Sequence, residues 1–210
     1  MGLLSATLDV LLPTDCAGCG LPRQRRGVLC SDCLEELPLG VWALQYTPDG
    51  CDTAVFYGHY DGPAGTMVRR AKYRPDPGSA RELGKLVAAA VDEQWPGVDA
   101  VVPVPQTRAA TLSRGFSPVR IVAGALARAL DVDVVDALER RTGQQQAGLP
   151  LRGRMDNARR AYRATGGVPA RVLLVDDVVT SGATAATCAY ELIRAGADEV
   201  HLLAICDARA

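Results

Sequence analysis

The sequence predicts an α/β domain built on a parallel sheet with helices packed against both faces. Three observations carry that prediction. From about Thr53 onward, apolar runs alternate with stretches of helical periodicity. The run Val172–Val175 is continuously apolar, as in a strand buried on both faces. Ahead of this alternation, Cys16, Cys19, Cys30 and Cys33 mark a small N-terminal unit of a different kind. The expected division is an N-terminal four-cysteine subdomain and linker over residues 1–50, then one α/β domain over residues 51–210.

The elements follow in order. Leu3, Leu4, Leu8, Leu11 and Leu12 fall near helical spacing and predict a short amphipathic helix ending at Pro13. "GLPRQRRGVL", between the cysteine pairs, is polar and turn-rich, and "LEELPLGVWALQYTPDG" reads as a linker. "TAVFYGHY" is expected as a strand, and "GPAGTMVRRAKY" and "SARELGKLVAAAVDEQW" as helices. "DAVVPVP" is a short buried strand, and "SPVRIVAGALARAL" a helix whose stripe is Val119, Val122, Ala123, Leu126 and Leu130. "VDVVDAL" and "RVLLVDDVV" are strands, "GATAATCAYELIRAG" is a helix stopped by Gly196, and "EVHLLAICDA" is the last strand. The stretch Glu139–Arg163 breaks the alternation with seven arginines against two acids, which marks a functional loop.

Composition excludes several classes. At 48% hydrophobic the chain is too apolar to be disordered. Its net charge of −1 gives no general argument for a nucleic-acid or membrane partner. No run of about 18 apolar residues offers a membrane span. No basic residue precedes the first apolar run, so no secretory signal is read and a cytoplasmic location is expected.

Seven cysteines cannot all pair within one chain. Cys16-x2-Cys19 and Cys30-x2-Cys33 can each offer two thiolates from one turn, which together complete a tetrahedron around structural zinc. Two disulfides are disfavoured in a cytoplasmic chain. A redox Cys-x-x-Cys is disfavoured by there being two pairs and no thioredoxin-like context. Cys188 and Cys206 are expected as small buried hydrophobes, and Cys51 is left unassigned. His59 and His201 lack metal-ligand spacing and are expected to be packing or surface residues.

The strongest chemical signal is "RVLLVDDVVTSGATAATC". Ligands of open α/β sheets bind at the carboxyl ends of strands. A helix N-terminus presents unpaired N–H groups and the positive end of its dipole, which suits a phosphate. Thr180, Ser181 and Thr184 add hydroxyl donors, and Gly182 lets the backbone approach closely. Asp176 and Asp177 would repel a phosphate but can accept hydrogen bonds from vicinal hydroxyls. A phosphate nest beside such acids describes a ribose 5-phosphate site. An ordinary helix cap is the bland alternative, but a cap needs one polar residue and this run has five.

"VLLVDDVVTSGAT" resembles the phosphoribosyl pyrophosphate (PRPP) motif of type I phosphoribosyltransferases. The resemblance implies that Asp176 and Asp177 bind the ribose hydroxyls and that Thr180, Ser181, Gly182, Ala183 and Thr184 hold the 5-phosphate. It extends over nearly the whole chain to the ComF (ComF/GntX-like) family: the four-cysteine knob, Pro103–Pro105, Arg114–Phe116, Gln146 with Leu149, and Arg154 with Asn157 all match its pattern. Ser117-Pro118 departs from that pattern, which has Asn-Gln there.

The resemblance places Arg108 and Arg114 near pyrophosphate, and Arg140 to Gln146 in the mobile loop that closes over substrate. For any one of these arginines a solvated basic surface is the competing reading. Lys72 either faces the site or simply ends a helix favourably. The implied function is a phosphoribosyltransferase using PRPP with Mg²⁺, its catalytic residues Asp176, Asp177, Arg114 and Arg108 and its acceptor unassigned. The alternative is a non-catalytic module that binds PRPP or a nucleotide and assists DNA uptake through contacts with single-stranded DNA or an uptake helicase. Arg23, Arg25, Arg26 and the Glu139–Arg163 segment would then supply the basic surface. Either form could assemble into an oligomer.

Overall fold

The computed structural model describes residues 15–22, 28–74, 76–91, 97–141 and 161–209. The helix expected over residues 3–12, Arg23, Arg25, Arg26, Gln146, Leu149, Arg154 and Asn157 lie outside the described residues.

After the short helix α1 (Ser31–Glu36) come strands β1 (Trp42–Ala43) and β2 (Thr53–His59), then helices α2 (Pro63–Tyr73) and α3 (Pro77–Ala90). Strand β3 (Ala100–Pro103), helices α4 (Arg108–Arg114) and α5 (Pro118–Ala129) and strand β4 (Asp133–Val134) follow. Strands β5 (Leu138–Arg140) and β6 (Tyr162–Ala164) lead to β7 (Arg171–Val179), helix α6 (Ala183–Arg194) and β8 (Glu199–Asp207).

The main sheet has the order β1-β2-β8-β7-β3-β4. Every neighbouring pair is parallel except β1 with β2. The sheet is therefore mixed rather than purely parallel. The reason is local: Trp42 and Ala43, in the stretch expected as linker, pair antiparallel with Phe56 and Val55 at the sheet edge. A two-residue edge strand has no periodicity to read. "VDVVDAL" also divides: Asp133–Val134 joins the main sheet, whereas Leu138 opens a separate antiparallel pair, β5 with β6. That pair is the stem of the arginine-rich segment.

Alternation along β7 sorts the core. Leu173 and Val175 face Met67 of α2, Leu83 of α3 and Val122 of α5. Val172 and Leu174 face Cys188 and Leu192 of α6. Both sheet faces are thus covered, which is why β7 reads as an unbroken apolar run. Truncating a fully buried leucine here, such as Leu174, costs about 2–5 kcal/mol.

Caps fix where the helices start. The Asp76 carboxylate accepts from the N–H groups of Gly78 and Ser79, at 2.9 and 3.2 Å, with Pro77 at the first position of α3. The Ser117 hydroxyl accepts from Arg120 N at 3.3 Å, with Pro118 opening α5. Ser117-Pro118, the departure from the family pattern, is therefore a helix start.

The cysteine unit is packed onto the domain. Ala17 and Leu37 join the core cluster of α2, α3 and α5. Arg70 of α2 donates to the Cys16 carbonyl oxygen and lies 3.9 Å from Asp15.

Candidate functional site

Strand β7 ends in two carboxylates that point apart, because successive strand residues face opposite sides of a sheet. Asp176 belongs to the α6 side and is 7% exposed. Asp177 belongs to the α2 side, where Lys72 Nζ lies 2.9 Å from its Oδ1. Gln106 Nε2 donates to Asp177 Oδ2 at 3.1 Å, and Arg114 donates to Gln106 Oε1 at 2.7 Å. One bridge thus joins the arginine to the acid. The Asp177 N–H donates to Asp176 Oδ1 at 2.8 Å.

These groups line a cavity of about 340 Å³ at the carboxyl end of the sheet. Burial pushes the Asp176 carboxyl up to about 7, and the charge of Asp177 pushes the same way. The Asp177 N–H, Lys72 and Arg140 pull against it. Arg140 sits at the rim with its guanidinium carbon 5.7 Å from the Tyr162 ring centroid. A larger cavity, about 970 Å³, lies between the β5–β6 stem and α6. Its acids are Asp49 and Glu191, and Glu191 is paired with Arg194 at 3.2 Å. The smaller cavity is the one that brings the acid pair together with Lys72, Arg114 and Arg140.

Beyond β7, Thr180 and Ser181 are exposed, and Gly182 turns the chain into α6 with φ 74°. The Ser181 hydroxyl accepts from Ala183 N at 3.4 Å. Thr184 lines the cavity. The turn is backed by Tyr46, from the segment expected as linker, whose ring lies 3.8 Å from the Arg209 guanidinium carbon. A strand end carrying two acids, one turn before a helix N-terminus, can accept two hydroxyls and hold a phosphate.

Among the expected site residues, Asp176, Asp177, Arg114, Arg140 and Thr184 line one cavity. Arg108 is exposed at the start of α4 and is not among the residues lining it. Gln146 lies outside the described residues. Of the two roles left open for Lys72, the structure has it facing the site. Gln106 belongs to the loop Pro103–Arg108 that the resemblance sets against pyrophosphate, whereas Tyr46 carries no sequence signal.

The four N-terminal cysteines form a second centre. Their sulfur atoms all lie within 4.8 Å of one another, with Cys16 to Cys30 at 3.6 Å and Cys19 to Cys30 at 3.9 Å. Disulfide sulfurs would be about 2.05 Å apart. A zinc-like tetrahedral ion bound at about 2.3 Å spaces its sulfurs by about 3.8 Å. The cluster is therefore able to chelate a metal. Burial would raise the Cys16 thiol, but N–H donors of Cys19, Cys30 and Gly18 outweigh it and lower it to about 6. Burial raises Cys33 instead. A Cβ on Gly18 would stand 2.8 Å from Cys33 Sγ, so position 18 takes only glycine at this approach.

Cys188 and Cys206 are buried. His201 is also buried, held by the Thr53 hydroxyl at 3.0 Å. Among the described residues no helix is long and apolar enough to cross a membrane.

Residues 71–210 match the phosphoribosyl transferase domain family. The chain belongs to that family. Within it the chain is of the ComF/GntX-like kind. Competence protein F of Haemophilus influenzae is 27% identical over 198 residues, covering 89% of this chain and 82% of that protein. DNA utilization protein YhgH of Escherichia coli is 28% identical over 201 residues, covering 92% of this chain and 84% of that protein. Among solved structures, the allosteric regulatory enzyme of purine biosynthesis aligns with a TM-score of 0.46 and 25% identity, covering 65% of this chain and 30% of that one.

Proposed function

We propose that this ComF-like chain binds PRPP or a nucleotide through its ribose 5-phosphate, and that it serves DNA uptake and utilisation. The observation that carries the first half is the position of Asp176 and Asp177 at the end of β7, one turn before α6. Asp176 and Asp177 accept from the vicinal ribose hydroxyls. The backbone from Thr180 to Thr184 and its hydroxyls take the 5-phosphate. Arg114 and Arg140 face the end where a pyrophosphate would lie. The second half is supported by the relatives, a competence protein and a DNA utilization protein. The arginine-dense segment from Glu139 to Arg163 supplies the phosphate contacts for single-stranded DNA. The cysteine cluster holds structural zinc, since four thiolates close the coordination shell and leave no open position.

Transfer of the phosphoribosyl group is the second reading, favoured by the bridge from Arg114 through Gln106 to Asp177. Mg²⁺, when bound with the pyrophosphate, supplies neutralisation of the leaving-group charge. The arginines orient the pyrophosphate, and Asp176 and Asp177 hold the ribose.

The deciding experiment incubates the full chain with PRPP, Mg²⁺ and a panel of bases and amines, and follows pyrophosphate release beside a thermal shift. A shift without release supports the binding module. Release supports transfer. No shift with PRPP or any nucleoside monophosphate overturns the site.

A further inference from the structure

The acid pair already has a cation. Lys72 and Asp177 approach to 2.9 Å with side chains only 20% and 13% exposed, so this is a shielded pair rather than a surface contact. Gln106 fills the second oxygen of Asp177, and the Asp177 N–H fills one oxygen of Asp176. Three of the four carboxylate oxygens at the end of β7 therefore accept from donors of this chain.

We infer that Lys72 is the resident counter-cation of the Asp176–Asp177 pair, and that the cavity takes a 5-phosphorylated ribose without a divalent metal ion. The inference rests on the ribose-phosphate reading above. An ion bound directly to Asp177 would have to displace the ammonium or the Gln106 amide, and Mg²⁺ gives up its own water reluctantly. A sugar diol has no such conflict. Each hydroxyl can donate to a carboxylate oxygen while accepting from the ammonium. The ion pair is complementary to a vicinal diol as it stands.

The residue type agrees. Lysine occurs twice in the chain against 23 basic residues in all, and the other, Lys85, is an exposed partner of Glu82. A lysine is a compact point charge with three rotatable donors, which suits small oxygen acceptors arriving from different directions. Its place in the last turn of α2 adds the favourable end of the helix dipole. Any metal that enters with a pyrophosphate then serves the pyrophosphate, not the ribose.

The test is calorimetric titration of the full chain with ribose 5-phosphate, in EDTA and in Mg²⁺. The expected affinities agree within about threefold. Lys72→Met should weaken binding in EDTA by more than about tenfold and make it respond to added Mg²⁺. Lys72→Arg should keep binding metal-independent. Circular dichroism of both variants separates loss of the cation from loss of fold. Wild-type binding seen only with Mg²⁺ overturns the resident-cation role and leaves the ribose-phosphate site standing. No binding in either condition overturns both, and that wild-type comparison needs no variant.

Discussion

The hydroxyl of Tyr46 stands 2.3 Å from the point that a Cβ on Gly182 would occupy. Pro48 Cγ is 3.1 Å from the same point. The turn that leads from the acid pair into α6 is thus closed from behind by the segment that precedes β2. Gly182 also has φ 74°, where a side chain is strained. Gly182→Ala is expected to destabilise the fold by about 2–4 kcal/mol, from left-handed strain together with overpacking. Urea unfolding measures the loss. Stabilisation by ribose 5-phosphate should disappear in the same variant, and an unchanged thermal shift would contradict the role given to this turn.

The Tyr46 hydroxyl is buried and has no hydrogen-bond partner among the described residues. A buried unpaired hydroxyl is costly. Tyr46→Phe keeps the ring beneath Arg209 and removes that cost. The variant should be more stable than the wild type by about 1 kcal/mol in denaturant unfolding. A clear loss of stability would mean that the hydroxyl is satisfied.

Asp176 sets a pH dependence with a definite sign. Its carboxyl is raised to about 7 in the folded chain from an ordinary 3.8, so the folded state binds the extra proton between those values. Stability from this group therefore falls as pH rises through that window. Asp176→Asn removes the ionisable group. The variant should flatten the stability profile between the two values and exceed the wild type at pH above 7. Parallel profiles for the two proteins would contradict a raised Asp176.

Gln106 accepts from Arg114 at 2.7 Å, so it is expected to act on a pyrophosphate through that arginine. Gln106→Ala should release the guanidinium and weaken inorganic pyrophosphate binding by about tenfold. Ribose 5-phosphate affinity should change by less than about threefold, because Lys72 still holds Asp177. Equal losses for both ligands would show that Gln106 shapes the whole cavity instead.

The cysteine cluster should carry about one metal ion per chain. Cys16→Ser or Cys33→Ser should lower metal content and thermal midpoint together, as should a strong chelator. Gly18→Ala should do the same by pressing on Cys33. Full metal content in Gly18→Ala would show that the turn can give way.

Much of this was legible in the sequence because apolar spacing reports burial. β7, β8, α2, α3 and α5 all have apolar residues that match the face they bury. Helix α4 escaped notice because none of its residues is buried. Only its ends announce it: the Thr107 hydroxyl accepts from Ala110 N at 3.2 Å, and Gly115 closes it with φ 77°. The acid pair was legible because Asp176 and Asp177 are adjacent and the Thr180–Thr184 turn follows after two residues. Their partners were not. Gln106 meets Asp177 across 71 residues of sequence, and only the parallel pairing of β3 with β7 brings them together. Tyr46 was hidden for the same reason, in a stretch whose prolines and glycine read as linker.

Arg70 reaches the Cys16 carbonyl, and Lys72 reaches Asp177. Two residues along a helix are about 3 Å apart in height and about 200° apart around the axis. The two side chains thus leave opposite sides of one rod, like the two arms of a lever. Rolling α2 to loosen its grip on the cysteine unit would swing the ammonium off the carboxylate as well. The cysteine cluster and the acid pair share an axle.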